Sequence, residues 1–149
     1  MSVSNPGSDC KASCVVSCPA DWEREGDRCY FFSKEEKSWH EAEKACVKKK
    51  GHLASVPSEQ VHKYLQDKKT SGWIGGTAED WDKPVNKDSK WVWTDCSEWD
   101  FDQGWEEEEP RKGPEKCIEY LSDKHLWNNL LCSNERTFVC SKKVCPGKI

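Results

Sequence analysis

The chain has 149 residues, a length that suits one folded domain with short ends. Charged residues make up 34% of it and the mean hydropathy is -0.95, so no membrane-spanning segment is expected. The net charge of -4 argues against binding to nucleic acid, and nine tryptophans argue against disorder.

The first predicted elements are a strand and a helix. Residues 27–33 are rich in aromatic side chains, which favours a strand. Ser38 followed by Glu41 has the spacing of a capping box and predicts a helix over residues 38–50. Gly51 lies where the residue after a helix end is often glycine, so it is expected to terminate this helix.

A second helix is predicted after a short extended run at residues 52–56. Ser58 is a good N-terminal cap, and apolar residues at helical spacing follow it to about Lys68. At the N-terminus, residues 1–17 have the polar composition of a tail or of the remnant of a stalk.

The second half of the chain predicts short strands around a long irregular stretch. Strands are expected at residues 73–76, 91–93, 117–121, 126–127 and 137–140. Residues 77–116 are polar and irregular, but their tryptophans indicate that this loop is folded, and a loop of such length is normally functional. Helices that precede strands in this way predict an α+β fold.

The cysteines indicate an oxidising compartment. The chain has ten of them, an even number, and such a density is typical of secreted, disulfide-linked domains. Zinc binding is disfavoured because no two cysteines have the C-x2-C spacing of a zinc site. The expected location is therefore extracellular.

Short motifs recur along the chain in the order found in one family. They are C-P-x-x-W (18–22), C-Y-F-F (29–32), S-W-x-x-A-x-x-x-C (38–46), H-L-A-S-V (52–56), W-I-G-G (73–76), W-V-W-T-D (91–95), Cys117, W-N-N (127–129), Cys132 and F-V-C (138–140). Through them the chain resembles C-type lectin-like domains, and the I-G-G-T run at 74–77 is similar to secreted fish lectins.

The resemblance implies a domain over residues 18–142, with a tail before it and a second tail at 143–149. Its expected fold has two helices, small antiparallel sheets and a long irregular loop region, stapled by disulfides. The implied pairs are Cys18 with Cys29, Cys46 with Cys140, and Cys117 with Cys132.

Four cysteines lie outside the implied pairs: Cys10, Cys14, Cys96 and Cys145. Because the ends of one domain often lie close together, Cys145 is expected to pair with Cys10 or Cys14. Cys96 has no evident partner, and we hypothesise that it links two chains into a disulfide-bonded homodimer.

In this family the long loop and a W-N-D strand build a calcium site that also holds sugar. The positions that correspond here are Glu109, Arg111, Glu115, Asn128 and Asn129, with Trp105 ahead of the loop motif. Glu109, Glu115 and Asn128 match the family's oxygen ligands, which leaves a weak calcium site on these three residues as an alternative.

Two departures disfavour calcium. Arg111 stands where an oxygen ligand belongs and cannot lose its proton, and Asn129 replaces a carboxylate. We therefore expect no cofactor, with Arg111 forking between Glu109 and Glu115. The alternative is an ordinary exposed, salt-bridged loop. The family's peptide bond before Pro110 is often cis, but its isomer here stays open.

The aromatic and acidic residues of the loop allow two interpretations each. Trp81, Trp99 and Trp105 belong either to the core of the loop or to a platform on which sugar stacks. The acidic run 106–109 is either a solvated surface or a functional one, which captures cations weakly or docks a basic partner.

The function expected from the resemblance is a secreted, carbohydrate-binding lectin, with galactose-like sugars favoured and little dependence on calcium, in innate defence by agglutination. One alternative is a protein-binding receptor ectodomain of the natural killer receptor type. A less favoured one is an ice-binding protein. An enzyme is not expected, because no catalytic motif is present.

Overall fold

The computed structural model describes residues 14–102, 104–105, 109–121 and 126–146. These residues form helices α1 (Trp39–Lys48) and α2 (Glu59–Asp67). The strands are β1 (Cys14–Val15), β2 (Glu23–Glu25), β3 (Arg28–Phe32), β4 (His52–Leu53), β5 (Gly72–Ala78), β6 (Trp91–Trp93), β7 (Cys117–Leu121), β8 (Leu126–Leu130) and β9 (Val139–Val144). The predicted α+β fold is confirmed. Neither of the two described helices is long and apolar enough to cross a membrane.

Helix α1 begins as its sequence predicts. The Ser38 side chain accepts a hydrogen bond from the Glu41 backbone N–H at 3.4 Å, which satisfies one of the unpaired donors of the first turn. One face of the helix buries Trp39, Ala42 and Cys46, whose spacing of three and four residues places them on one side. That face packs on the sheets.

The end of α1 differs from the prediction. The residue in the left-handed region is Lys50, with φ 69°, and not Gly51. The Lys50 N–H donates to the Val47 carbonyl and the Gly51 N–H to the Cys46 carbonyl, both at 2.9 Å, which is a Schellman motif. Glycine is needed at 51 for a different reason: a Cβ there would lie 2.5 Å from the Ser141 backbone oxygen.

Each end of helix α2 is capped in the same manner as the corresponding end of α1. The Ser58 side chain accepts from a backbone N–H in the first turn. After the helix, Lys69 takes φ 54°, its N–H donates to the Gln66 carbonyl, and the Thr70 N–H donates to the Leu65 carbonyl. Both helices therefore end in a left-handed lysine.

One sheet holds the two ends of the described chain together. Its strands follow the order β1-β9-β3-β2, and β4 also pairs with β9. β1 runs parallel to β9, with Cys14 opposite Lys143. Part of the segment 1–17, which the sequence assigned to a tail, is thus a strand, and β9 reaches Val144, beyond the predicted end at residue 142.

The second sheet carries the loop region. Its order is β6-β5-β7-β8, and every neighbouring pair is antiparallel. The long loop folds against this sheet through aromatic side chains: Trp99, Phe101 and Trp105 pack on the cluster that contains Trp93 and Trp127. The described part of the loop is therefore folded, as its tryptophans predict.

Four disulfides join the described residues. The three implied pairs, 18–29, 46–140 and 117–132, are all present, and the fourth joins Cys14 to Cys145. Cys10 lies outside the described residues. Cys96 is also disulfide-bonded. The structure therefore gives no support to a bridge through Cys96 between two chains, and a disulfide-linked homodimer stays a prediction.

Candidate functional site

The candidate site lies where the long loop returns to the β7–β8 hairpin. The loop is fixed here by a two-way backbone pair, in which Val85 donates to Gly113 at 2.7 Å and Gly113 donates back at 3.0 Å. Gly113 has φ 125°, a conformation that side-chain-bearing residues rarely adopt. The turn places the segment from Glu109 to Glu115 beside strand β8.

Asn129 is a clamp for the loop backbone. It lies on β8, opposite Ile118, and is fully buried. Its Nδ2 donates to the carbonyls of Arg111 and Glu115, each at 2.8 Å, and its Oδ1 accepts from the Arg111 N–H at 2.8 Å. The amide thus uses its donors and its acceptor on backbone groups, a task that a carboxylate, which has no donor, could not perform.

The Arg111 guanidinium lies among the acidic and amide side chains of the site. Its Nη2 donates to Glu109 Oε1 at 3.0 Å and to Asn128 Oδ1 at 3.4 Å, and its Nη1 lies 3.8 Å from Glu115 Oε2. The other oxygen of Glu109 accepts the Arg111 backbone N–H at 2.9 Å. Half of the Arg111 side chain remains exposed, at 51%, against 9% for Glu109. The guanidinium therefore bridges the groups that the resemblance assigns to a metal.

Several of the oxygens that a calcium ion would need are engaged in hydrogen bonds in this arrangement. Calcium needs six to eight oxygen ligands, but oxygens of Glu109 and Asn128 already accept from Arg111. The Asn129 oxygen accepts from the loop backbone. An ion placed here would also stand beside a permanent positive charge. The peptide bond between Glu109 and Pro110 is cis.

The buried carboxylate of Glu119 holds the Asn128 side chain in place. No sequence motif pointed to this residue. Glu119 lies opposite Asn128 across β7 and β8 and is 6% exposed. Its Oε2 accepts from Asn128 Nδ2 at 2.9 Å, and its Oε1 accepts from Arg136 Nε at 3.1 Å. The Asn128 amide is thereby oriented with its oxygen towards Arg111. The signal was a charged residue in a strand whose neighbours Ile118 and Tyr120 are apolar.

Trp105 lies on the aromatic core beside the site. Its backbone bridges to Trp127, and its ring centroid lies 5.5 Å from that of Trp127 and 5.0 Å from that of Trp91. Trp99 stacks on Trp93 at 4.5 Å. These contacts describe loop core, the first of the two interpretations of the loop tryptophans. The residues 106–108 of the acidic run lie outside the described chain.

Comparison with known proteins identifies the family. Residues 35–142, more than half of the chain, match the family model of the lectin C-type domain. The chain therefore belongs to the C-type lectin domain family, as the motifs indicated. That family consists of non-enzymatic, carbohydrate-binding proteins, which agrees with the expectation that this chain is not an enzyme.

Two curated relatives are fish lectins. The chain is 32% identical to the galactose-specific lectin nattectin of Thalassophryne nattereri over 147 residues, covering 93% of this chain and 88% of that one. It is 37% identical to ladderlectin of Oncorhynchus mykiss over 127 residues, covering 78% of this chain and 63% of that one.

Two solved structures illustrate the range of the fold. A calcium-independent type II antifreeze protein aligns with a TM-score of 0.74 at 29% identity, covering 88% of this chain and 98% of that one. The carbohydrate-recognition domain of the mouse scavenger receptor C-type lectin has the same TM-score at 28% identity, covering 88% and 100%.

Proposed function

We propose that this chain is a secreted lectin that binds a neutral, galactose-type sugar without calcium and acts in innate defence by agglutination. The observation that carries the proposal is the Arg111 guanidinium, which donates to Glu109 and Asn128, two residues that the resemblance assigns to a calcium site. The galactose preference rests on the relative nattectin, which is described as galactose-specific. Secretion rests on the disulfide density.

The chemistry of the site suits sugar hydroxyls. A hydroxyl both donates and accepts, so it can donate to the carboxylate of Glu109 or Glu115 and accept from Arg111. The cation and the carboxylates offset one another, which favours a neutral ligand over a charged one. The planar guanidinium can approach two neighbouring hydroxyls in one plane. The exposed half of Arg111 leaves room for such contacts.

Affinity chromatography with and without a chelator tests this proposal. We expect retention on lactose-agarose, elution by free lactose, weaker retention on mannose-agarose and no effect of EDTA. The variant Arg111→Gln should bind at least about tenfold more weakly, because it removes a charge-assisted hydrogen-bond donor. Its control is Lys112→Gln, which removes the same charge from the exposed neighbouring residue.

Calorimetric titration with calcium separates sugar binding from calcium independence. We expect no heat of binding. A dissociation constant of about 1 mM or below, in the range of extracellular calcium modules, would contradict the calcium-independent site. Loss of lactose retention in EDTA would contradict it as well.

An ice-binding function is the second candidate, because the antifreeze structure resembles this chain over 88% of its length. Against it, the loop 77–116 contains thirteen acidic and six basic residues, whereas a surface that matches ice is expected to be weakly charged. Thermal hysteresis in a freezing-point measurement, without sugar retention, would favour this function. A protein-binding receptor ectodomain would be favoured by a membrane-spanning segment encoded upstream.

A further inference from the structure

A cluster of four lysines lies where helix α1 ends against strand β9, on different elements from those of the candidate site. It consists of Lys48, Lys49, Lys50 and Lys142, and we name it the lysine cluster. The Lys142 Nζ donates to the Lys49 carbonyl at 2.7 Å, which satisfies one unpaired acceptor at the helix end. That bond accounts for Lys142 but not for the three lysines that precede it.

Two of these ammonium groups are held in place by aromatic rings. The Lys142 Nζ lies 4.1 Å from the Trp22 ring centroid, and the Lys49 Nζ lies 4.5 Å from the Phe31 ring centroid. The two rings are themselves 5.6 Å apart. Cations over ring faces gain stabilisation, so Lys142 and Lys49 lose less side-chain entropy on meeting a ligand than free lysines would.

Positive charge in the lysine cluster is not neutralised by ion pairs within the described residues. Salt bridges of the described chain involve other lysines and arginines, such as Lys44 and Lys68. Burial lowers the pKa of Lys142; Asp21 opposes this, and Lys49 and Lys50 add to the lowering. Mutual repulsion of this kind is relieved when an anion binds between the cations.

The rest of the chain does not share this charge. The whole protein has a net charge of -4, and its loop 77–116 alone contains more than twice as many acidic as basic residues. A run of three lysines joined by a fourth is therefore a local feature and not a consequence of a generally basic surface. Such a segregated cluster attracts polyanions at a distance and binds them on contact.

We propose that the lysine cluster is a second binding site, which takes the anionic groups of a sulfated polysaccharide. Discrete sulfates match ammonium groups that are fixed in position, whereas the surface potential of a membrane acts on mobile lysines as well. The disulfide density favours an extracellular location, and sulfated polysaccharides are abundant polyanions outside cells. This site is independent of the proposed sugar site at Arg111.

Heparin, a sulfated polysaccharide, is the probe. We expect the wild-type protein to bind heparin-agarose at low salt and to elute with sodium chloride, and desulfated heparin not to compete. The variant Lys49→Gln/Lys142→Gln should bind heparin at least about tenfold more weakly, because two charged contacts are lost. Its matched control is Lys87→Gln/Lys90→Gln, which makes the same charge change on the exposed long loop.

Two further variants keep the test independent of folding. Lys48→Gln/Lys50→Gln alters only exposed side chains of the cluster and should also weaken heparin binding, while Lys49→Arg/Lys142→Arg should retain it. The thermal unfolding midpoint of each variant reports its folding. Equal weakening by the cluster variants and the loop control would overturn the proposal. Binding to phosphatidylserine vesicles but not to heparin would overturn it too, in favour of a membrane surface.

Discussion

Glu119 connects the candidate site to the far side of the β7–β8 hairpin. Through its two oxygens it accepts from Asn128 at 2.9 Å and from Arg136 at 3.1 Å, and Asn128 in turn meets Arg111. A buried carboxylate is stable only when it is paired and hydrogen-bonded. The position of Arg111 therefore depends on a residue that has no part in the surface of the site.

The variant Glu119→Gln tests this dependence. Glutamine has nearly the same shape, but its NH2 group replaces one acceptor, so either Asn128 or Arg136 loses its partner. We expect the free energy of unfolding to fall by about 1–3 kcal/mol, measured by urea denaturation. The control Glu135→Gln, at an exposed residue nearby, should leave stability unchanged. Equal stability of both variants would contradict a role for Glu119 in the hairpin.

The residues of the candidate site could be predicted from the sequence more readily than their partners. The sequence identified Arg111 as standing at the position of an oxygen ligand, because the spacing of the motif is kept when one of its residues is replaced. It gave no indication that Asn129 binds the loop backbone, since an amide in a motif looks the same whether it faces a ligand or a carbonyl. Glu119 was missed because its partners Asn128 and Arg136 come together only when β8 and the segment before β9 fold.

At the scale of elements, both helices stop with lysine in the left-handed region. Lys50 and Lys69 have φ of 69° and 54°. A residue with a Cβ is strained there by about 1–2 kcal/mol relative to glycine. The helix ends were predicted only approximately, because glycine is the residue usually expected in the left-handed position. In α1 the glycine comes one residue later, where the close approach of the Ser141 backbone leaves no room for a Cβ.

Replacing Lys69 with glycine should stabilise the protein. The strain at φ 54° is removed, and after the greater flexibility of glycine in the unfolded chain is subtracted, we expect a gain of up to about 1 kcal/mol. The matched control is Lys63→Gly, the same change inside α2 at an exposed residue, which should cost about 1 kcal/mol. The thermal unfolding midpoint should therefore rise in Lys69→Gly and fall in Lys63→Gly. A lower midpoint for Lys69→Gly would contradict the view that Lys69 is strained.

The first turn of α1 should respond to pH. The His40 ring packs on Trp81 at 4.8 Å, and burial lowers the pKa of His40 below its ordinary value of 6.5, with Lys44 adding to the effect. The unfolded chain therefore takes up this proton at a higher pH than the folded chain. Stability is complete above pH 6.5 and is lost as the pH falls through that value towards the folded-state pKa.

Thermal unfolding at a series of pH values measures this effect. Between about pH 7.5 and about pH 5.5, the wild-type midpoint should fall more than that of His40→Gln, which has no proton to gain. The control His52→Gln makes the same substitution on strand β4, where the ring lies 2.6 Å from Glu43, and leaves His40 in place. Parallel curves for wild type and His40→Gln would show that His40 has no part in the pH response.

At the scale of the whole molecule, disulfides of very different loop length tie the fold together. The bond between Cys46 and Cys140 joins α1 to β9 across a sequence separation of 94, while that between Cys18 and Cys29 spans only 11. In the chain-entropy view, a longer closed loop removes more freedom from the unfolded state. We therefore expect the Cys46–Cys140 bond to contribute more to stability than the Cys18–Cys29 bond.

Pairwise replacement by alanine tests that order. Removing Cys46–Cys140 should cost about 5 kcal/mol and removing Cys18–Cys29 about 3 kcal/mol. Guanidinium unfolding of the two double variants, compared directly with each other, gives the difference between their free energies of unfolding. A larger loss from the short loop would show that local packing, and not loop closure, dominates.

The overall fold was largely predictable, because the cysteine and tryptophan motifs identify the family and the helix caps are local signals. The pairing of β1 with β9 was not. Cys14 and Val15 form a strand of two residues within a polar segment, and nothing in such a short run distinguishes it from a tail. Its partner lies at the opposite end of the chain, so only the folded molecule shows the pair.

The bond between Cys14 and Cys145 has a mechanical consequence. It spans 131 positions of sequence yet joins two Cα atoms only 4.8 Å apart. Tension applied to the chain just before Cys14 and just after Cys145 would pass through the sulfur–sulfur bond and leave everything between them unloaded. The domain should thus stay folded under stretching that unravels ordinary domains, until a reductant cuts the bond and exposes it to the force.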